Sequence, residues 1–324
     1  MRDNLNPSLI LSRLEGMLTL SLFTNAFSYC LPPIEAEKWV WSERMAEFIR
    51  ALGYGGVEVS AKRHLDVERV LSGGASNVRG IAEKSGLEIV ALSSHFNHLD
   101  ADKERRRSFN QRFLRVVEAA SLLDVPVVVT FSGMPVPLDY LYPYPESNID
   151  KVEGAWSEFR AVWGPLLDFA AQHDVKVAVE PHYGQLVFNT QTISRMFKEL
   201  DHRALGINFD PSHLAWQLID PVVVVEKFSE KIFHTHLKDV EFNEGVLREN
   251  GVFSVGKWSS AERSWRFRVP GKGVIRWSEV LGSLVALGYR GALSFEHEDP
   301  LMGLEEGARE ACVFISELLA KLDA

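Results

Sequence analysis

The chain has 324 residues, 46% of them hydrophobic and 24% charged, which is enough apolar material for a large buried core and argues against a disordered or fibrous protein. Its 35 basic and 44 acidic residues give a net charge of −9 with no Lys/Arg-rich block, which argues against a surface built to hold duplex phosphates. The two cysteines, Cys30 and Cys312, stand far apart without CxxC spacing and read as reduced thiols rather than a metal or redox pair.

Residues 1–16 are polar and irregular and read as an N-terminal extension; residues 17–324 read as one barrel domain. The apolar run 17–23 is too short to span a membrane and lacks a small-residue cleavage site, so no membrane association and a cytoplasmic location are expected. From Leu18 onward, short β-branched runs alternate with longer amphipathic segments, the pattern of repeated βα units on a parallel sheet. Strands are predicted at 18–23, 56–60, 87–93, 127–131, 176–180, 205–210, 232–237 and 292–296. Helices are predicted at 36–52, 104–123, 152–173, 190–200, 221–228, 277–287 and 304–322. Eight strands close a (β/α)8 TIM barrel, so the fold class is α/β with a single domain.

Two connections exceed ordinary turns. Residues 132–148 carry four prolines and three tyrosines, and residues 239–273 carry Phe242, Phe253, Trp258, Trp265 and Phe267. Both follow the C-terminal end of a strand, where barrels build their sites, and both are candidate lids or subunit contacts, with loop packing as the equal alternative.

The chemistry concentrates at the ends of the last four strands. Val-Ala-Val-Glu180 and Asn-Phe-Asp210 each end in a carboxylate, the second followed by His213; Phe-His234-Thr-His236 supplies an imidazole, and Leu-Ser-Phe-Glu296 a further carboxylate. Singly, each reads as a salt-bridge, capping or structural residue. Converging on one rim, they would repel one another and suffer desolvation unless a cation neutralised them. A bound divalent metal resolves this, and the oxygen-rich set favours Mn²⁺ or Mg²⁺, with Co²⁺ and Zn²⁺ as alternatives. Such a metal polarises a substrate carbonyl, while Glu180 and Glu296 take and return a proton at the adjacent carbon.

The segments Val-Glu180-Pro-His182, Asn-Phe-Asp210-Pro-Ser-His213, His234-Thr-His236-Leu-Lys238-Asp239, Val-Pro-Gly271-Lys-Gly273 and Ser-Phe-Glu296-His-Glu resemble the xylose isomerase-like superfamily of sugar phosphate isomerases and epimerases. The resemblance implies Glu180, Asp210, His236 and Glu296 as metal ligands, Glu180 and Glu296 as proton-transfer residues, and His213 as a holder of a substrate oxygen. It also implies a small-molecule sugar or cyclitol substrate and no nucleic acid. AP endonucleases of the same superfamily need a further Asp-x-His about a dozen residues after His236, where Glu249-Asn250-Gly251 stands. Ketohexose 3-epimerases place an arginine and a glutamate where this chain has Phe242 and Leu186. His236-x-Lys238-Asp239 instead looks like inosose dehydratases, and C-glycoside deglycosidases, which work with a small partner subunit, resemble the same arrangement.

The expected activity is therefore a metal-dependent sugar isomerase or epimerase. The alternative is a lyase of the inosose dehydratase or 3-oxo-glycoside type, in which His182, Lys238 or His297 protonates the departing oxygen. A third reading is a non-catalytic binding barrel. A homo-oligomer is expected from the long rim loops. Val-Pro-Gly271-Lys-Gly273 reads either as an anion-binding nest or as a plain turn, and Trp216, Trp258 and Trp265 either as sugar-stacking or as core residues.

Overall fold

The computed structural model describes residues 18–31, 39–136 and 145–322; the expected extension at 1–16 lies outside them. Ten strands are described: β1 (Thr19–Phe23), β2 (Gly56–Ser60), β3 (Glu88–Ser93), β4 (Val127–Phe131), β5 (Lys176–Glu180), β6 (Leu205–Phe209), β7 (Ile232–Leu237), β8 (Asp239–Phe242), β9 (Trp265–Arg268) and β10 (Ala292–Phe295). Eight of them close a parallel barrel in the order β1-β10-β7-β6-β5-β4-β3-β2, and these are the eight runs expected from the sequence, to within a residue at each end. Aliphatic residues recur in these strands because both faces are buried, one in the barrel and one against the helices. On the outer face Phe113, Trp163, Leu167, Met196, Leu281 and Ile315 are completely or almost completely buried.

Helices return the chain between strands and begin on local caps. Asp102 accepts from the backbone N–H groups of Glu104 and Arg105, and Asn189 forms a capping box with Thr192. The helix expected at 36–52 is shorter in its described part: it spans Glu43–Ala51, starting where Ser42 accepts from Met45 N at 3.4 Å, while residues 39–42 are not helical. The sequence reading missed a helical stretch between β2 and β3, running from Val67 to Lys84. Ser72 and Gly73 (φ 106°) leave helical geometry in its middle and split the apolar periodicity into pieces too short to recognise.

The second long connection is structured. β8 and β9 form an antiparallel pair with Val240 opposite Phe267 and Phe242 opposite Trp265, and the segment between them includes a helix at Glu244–Asn250. The Pro-Gly-Lys-Gly turn closes on this pair. Its nest does not await a ligand, because the buried Asp239 carboxylate occupies it, accepting from Gly271 N (3.0 Å), Ile275 N (3.1 Å), Val240 N (2.8 Å) and Trp277 Nε1 (2.9 Å). Of the first long connection, residues 137–144 lie outside the described part. No helix among the described residues is long and apolar enough to cross a membrane.

Candidate active site

Successive residues of a strand face opposite sides, so on and just after β7 His234, His236 and Lys238 all turn into the barrel, and on and just after β10 Ser294, Glu296 and Glu298 do the same. Glu180 ends β5, and Asp210 follows β6 as the cap of the short helix Pro211–Ala215. The parallel strands bring these groups to one mouth. Ligand-capable atoms of Glu180, Asp210, His213 and Glu296 all lie within 4.8 Å of one another, and all four residues are buried. His236 bridges this group to a deeper one formed with Glu58 and His234: its Nδ1 lies 3.2 Å from Glu296 Oε2 and 3.6 Å from Glu180 Oε2.

Residues 46–318 match the family described as xylose isomerase-like TIM barrel. The chain belongs to this family. It is 28% identical over 300 residues to the uncharacterized protein YfiH of Bacillus subtilis (strain 168), spanning 86% of this chain and 95% of that protein. It is 32% identical over 137 residues to an inosose dehydratase of Geobacillus thermodenitrificans (strain NG80-2), 42% of this chain and 45% of that enzyme. A solved D-tagatose 3-epimerase-like protein superposes with a TM-score of 0.66 over 94% of this chain and 98% of that one; at 18% identity this likeness shows the fold alone.

Within this xylose isomerase-like barrel the donor set fits a divalent cation on two structural observations. Asp210 Oδ1 accepts from Ser212 N (2.8 Å) and Ser212 Oγ (2.7 Å), while Oδ2, fully buried, has the Lys238 ammonium at 3.2 Å and His213 Nε2 at 3.6 Å beside it. His236 Nδ1 is buried without a hydrogen bond. Asp210 Oδ2, with lone-pair capacity left beside the Lys238 ammonium, and His236 Nδ1 face one carboxylate-lined space whose donors suit a cation.

The partner that orients His236 was missed by the sequence reading, which looked only at the last four strands. Glu58, in the middle of β2 and completely buried, lies 3.0 Å from His236 Nε2 and 2.8 Å from His234 Nε2. A carboxylate accepts only, so both imidazoles donate through Nε2, and the Nδ1 lone pair of a neutral His236 is directed to the mouth. The signal was a lone glutamate in Gly-Val-Glu-Val-Ser, at a position where a buried strand carries apolar residues. Burial opposes charge on His236, but Glu58 and Glu296 outweigh it and raise its imidazole well above the ordinary value. The surroundings call for positive charge at this ring, which a proton or a metal ion supplies. Glu58→Gln is expected to weaken Mn²⁺ binding by about 10–100-fold in a metal titration; unchanged affinity would refute this orienting role.

The expectation that a metal alone balances the carboxylates needs correcting, because Lys238 already supplies one positive charge. Its buried Nζ lies 2.6 Å from Glu296 Oε2, 2.8 Å from Glu298 Oε2, 3.2 Å from Asp210 Oδ2 and 3.3 Å from His213 Nε2. Burial opposes the ammonium, yet Asp210, Glu296 and Glu298 overcome it and raise its pKa well above the lysine range. Reciprocally, burial raises Glu296 but Lys238 and His236 pull it down to about 2. Glu180, also opposed by burial, is held well below the usual carboxylate range by His213 and His95, with further hydrogen bonding from Asn208 Nδ2 at 3.1 Å.

These groups line a cavity of about 210 Å³ that includes His95, His182, His213 and Glu298. His182 Nδ1 donates to the Tyr183 carbonyl, leaving Nε2 as an acceptor, and burial followed by His213 pushes the imidazole down to about 3. His182 is thus neutral, which suits it to accept a hydroxyl hydrogen bond rather than to serve as an acid. His297 is engaged at both ring nitrogens, with Gly303 O and Asp299 N, and is removed as a proton donor. Trp216 and Trp265 stack on each other at 4.8 Å and Trp258 stacks on Phe267 at 5.4 Å, and none of the three is among the described residues lining the cavity.

Proposed function

We propose that the protein is a divalent-metal-dependent enzyme that removes a proton from the carbon beside a carbonyl in a polyhydroxy substrate, acting as a sugar isomerase or epimerase. The observation that carries this reading is the convergence of two buried carboxylates, Glu180 and Glu296, with Asp210 and His236 at one barrel mouth. Glu180, Asp210, His236 and Glu296 would hold the ion, with Mn²⁺ the best match to the donors. Bound there, it would polarise the substrate carbonyl and acidify the neighbouring C–H.

The protein groups supply the rest. Glu180 or Glu296 accepts the proton, and the electron pair left on carbon delocalises onto the carbonyl oxygen. Lys238 and His213, 3.3 Å apart, hold substrate oxygens at the mouth, while His182 accepts from a substrate hydroxyl. Return of the proton to the adjacent carbon gives isomerisation, and return to the opposite face of the same carbon gives epimerisation.

Elimination is the second reading. It is favoured by the partial match to inosose dehydratase and by the Lys238 ammonium, which can protonate a departing oxygen. The test is incubation of Mn²⁺-loaded protein with ketoses and keto-inositols in D2O, followed by product identification. Carbon-bound deuterium without loss of water supports isomerisation or epimerisation, and an unsaturated product supports elimination. Absence of both exchange and product with every metal would leave only the binding-barrel reading.

A further inference from the structure

We propose that Lys62 and Arg63 form the subsite for an anionic group of the substrate, so that the polyhydroxy carbonyl compound taken by this pocket carries a carboxylate or a phosphate. The inference rests on the cavity above being the substrate site and adds the class of molecule that fills it. Both side chains follow β2 on the C-terminal rim and line the same cavity as Glu180 and Glu296. Both are exposed, and neither has a carboxylate partner among the described residues. Arg63 lies over the Tyr29 ring at 5.7 Å, and Lys62 shares the Phe96 ring with Arg112, at 5.9 and 5.2 Å.

In a chain of net charge −9 Lys62 and Arg63 are placed together without an acid, as is Arg112 on the same Phe96 ring, whereas Arg115 pairs with Glu68, Arg105 with Asp100 and Arg106 with Glu158. Partial burial and repulsion from Arg63 and Arg112 lower the Lys62 ammonium, so the group is destabilised by its neighbours rather than satisfied by them. An arriving anion relieves that repulsion and gains charge-assisted hydrogen bonds from a guanidinium and an ammonium together. The deep end of the cavity cannot take this role. There the Lys238 ammonium is already shared among Glu296, Glu298 and Asp210, and the surrounding carboxylates repel an anion. The substrate is thereby oriented, with its anionic end at the Lys62/Arg63 rim and its carbonyl end between Glu180 and Glu296.

The test is calorimetric binding of three probes to the Mn²⁺-loaded full chain: D-fructose, D-fructose 6-phosphate and 5-keto-D-gluconate. At least one anionic probe is expected to bind about tenfold tighter than D-fructose, with the advantage shrinking as salt rises. K62Q/R63Q is expected to remove that advantage while leaving the thermal melt unchanged, since both side chains are exposed. Preference for the phosphate ester assigns a phosphate, and preference for the keto acid assigns a carboxylate. Equal affinity for all three, no binding of either anion, or an advantage that survives in K62Q/R63Q would overturn the proposal. The readout is binding, so a protein that prefers anions yet exchanges no deuterium would overturn the proton-abstraction reading and leave this one intact.

Discussion

Replacing either Glu180 or Glu296 by glutamine is expected to lower solvent-deuterium exchange into a bound ketose by at least about a hundredfold at saturating Mn²⁺. Glutamine preserves the volume of each side chain in its packed setting but cannot take a proton. It also changes the charge around the cavity. Glu180 Oε2 accepts from His95 at 3.1 Å and from Asn208 at 3.1 Å, and the amide oxygen of a glutamine in its place can keep these bonds, so the geometry of the mouth should persist. Glu296 accepts from Lys238 at 2.6 Å, a bond that an amide oxygen can also retain. Since each variant also loses a charged candidate ligand, metal content is measured beside exchange. A variant with full metal occupancy and a hundredfold loss places the residue in proton transfer, whereas near-normal exchange removes it from that role.

Lys238→Met should produce the largest loss of stability. Methionine fills most of the space of the lysine stem and keeps contact with the Phe267 ring, which lies 4.5 Å from Nζ. It leaves Glu296, Glu298 and Asp210 without the ammonium they surround, and breaking a buried ion pair from one side costs about 3–5 kcal/mol. Urea denaturation of metal-free protein measures this. The pKa of Lys238 is raised, so its contribution is complete at and below the ordinary lysine range and is lost only as pH climbs above it. Glu296 is lowered to about 2, so its contribution is complete above the ordinary glutamate value and fades as pH falls towards 2. The deficit of the variant should therefore be largest from neutral pH up to about pH 10 and narrow as pH falls, where its buried carboxylates, Glu298 foremost because burial already raises it, can take up protons. Mn²⁺ should restore part of the deficit by binding the folded state. Wild-type stability in the metal-free variant would show that the ammonium does not hold these carboxylates.

Much of the architecture was legible in the sequence because its cause is local. Val127-Val-Val-Thr-Phe131 and Lys176-Val-Ala-Val-Glu180 are short β-branched runs of strand length, and their alternation with longer amphipathic segments marks them as parallel strands. Their count fixed the barrel, and the polar residues at their ends marked the rim where Glu180, Asp210, His213 and Glu296 meet. The pairing of β8 with β9 was not legible, since Asp239–Phe242 and Trp265–Arg268 form strands only against each other. Nor was the role of Pro-Gly-Lys-Gly, because nothing local says that the nest is filled by the Asp239 carboxylate.

Composition and periodicity alone thus determined the eight strands and which end of them carries chemistry, for the runs and the residues that end them are read locally. Only the tertiary structure decided who faces whom inside. Glu58 meets His234 and His236 across 176 and 178 positions, from a strand separated from theirs by β1 and β10. That meeting exists because closing the sheet turns inward-facing side chains of distant strands towards one axis, and no local pattern records the register at which the cylinder closes.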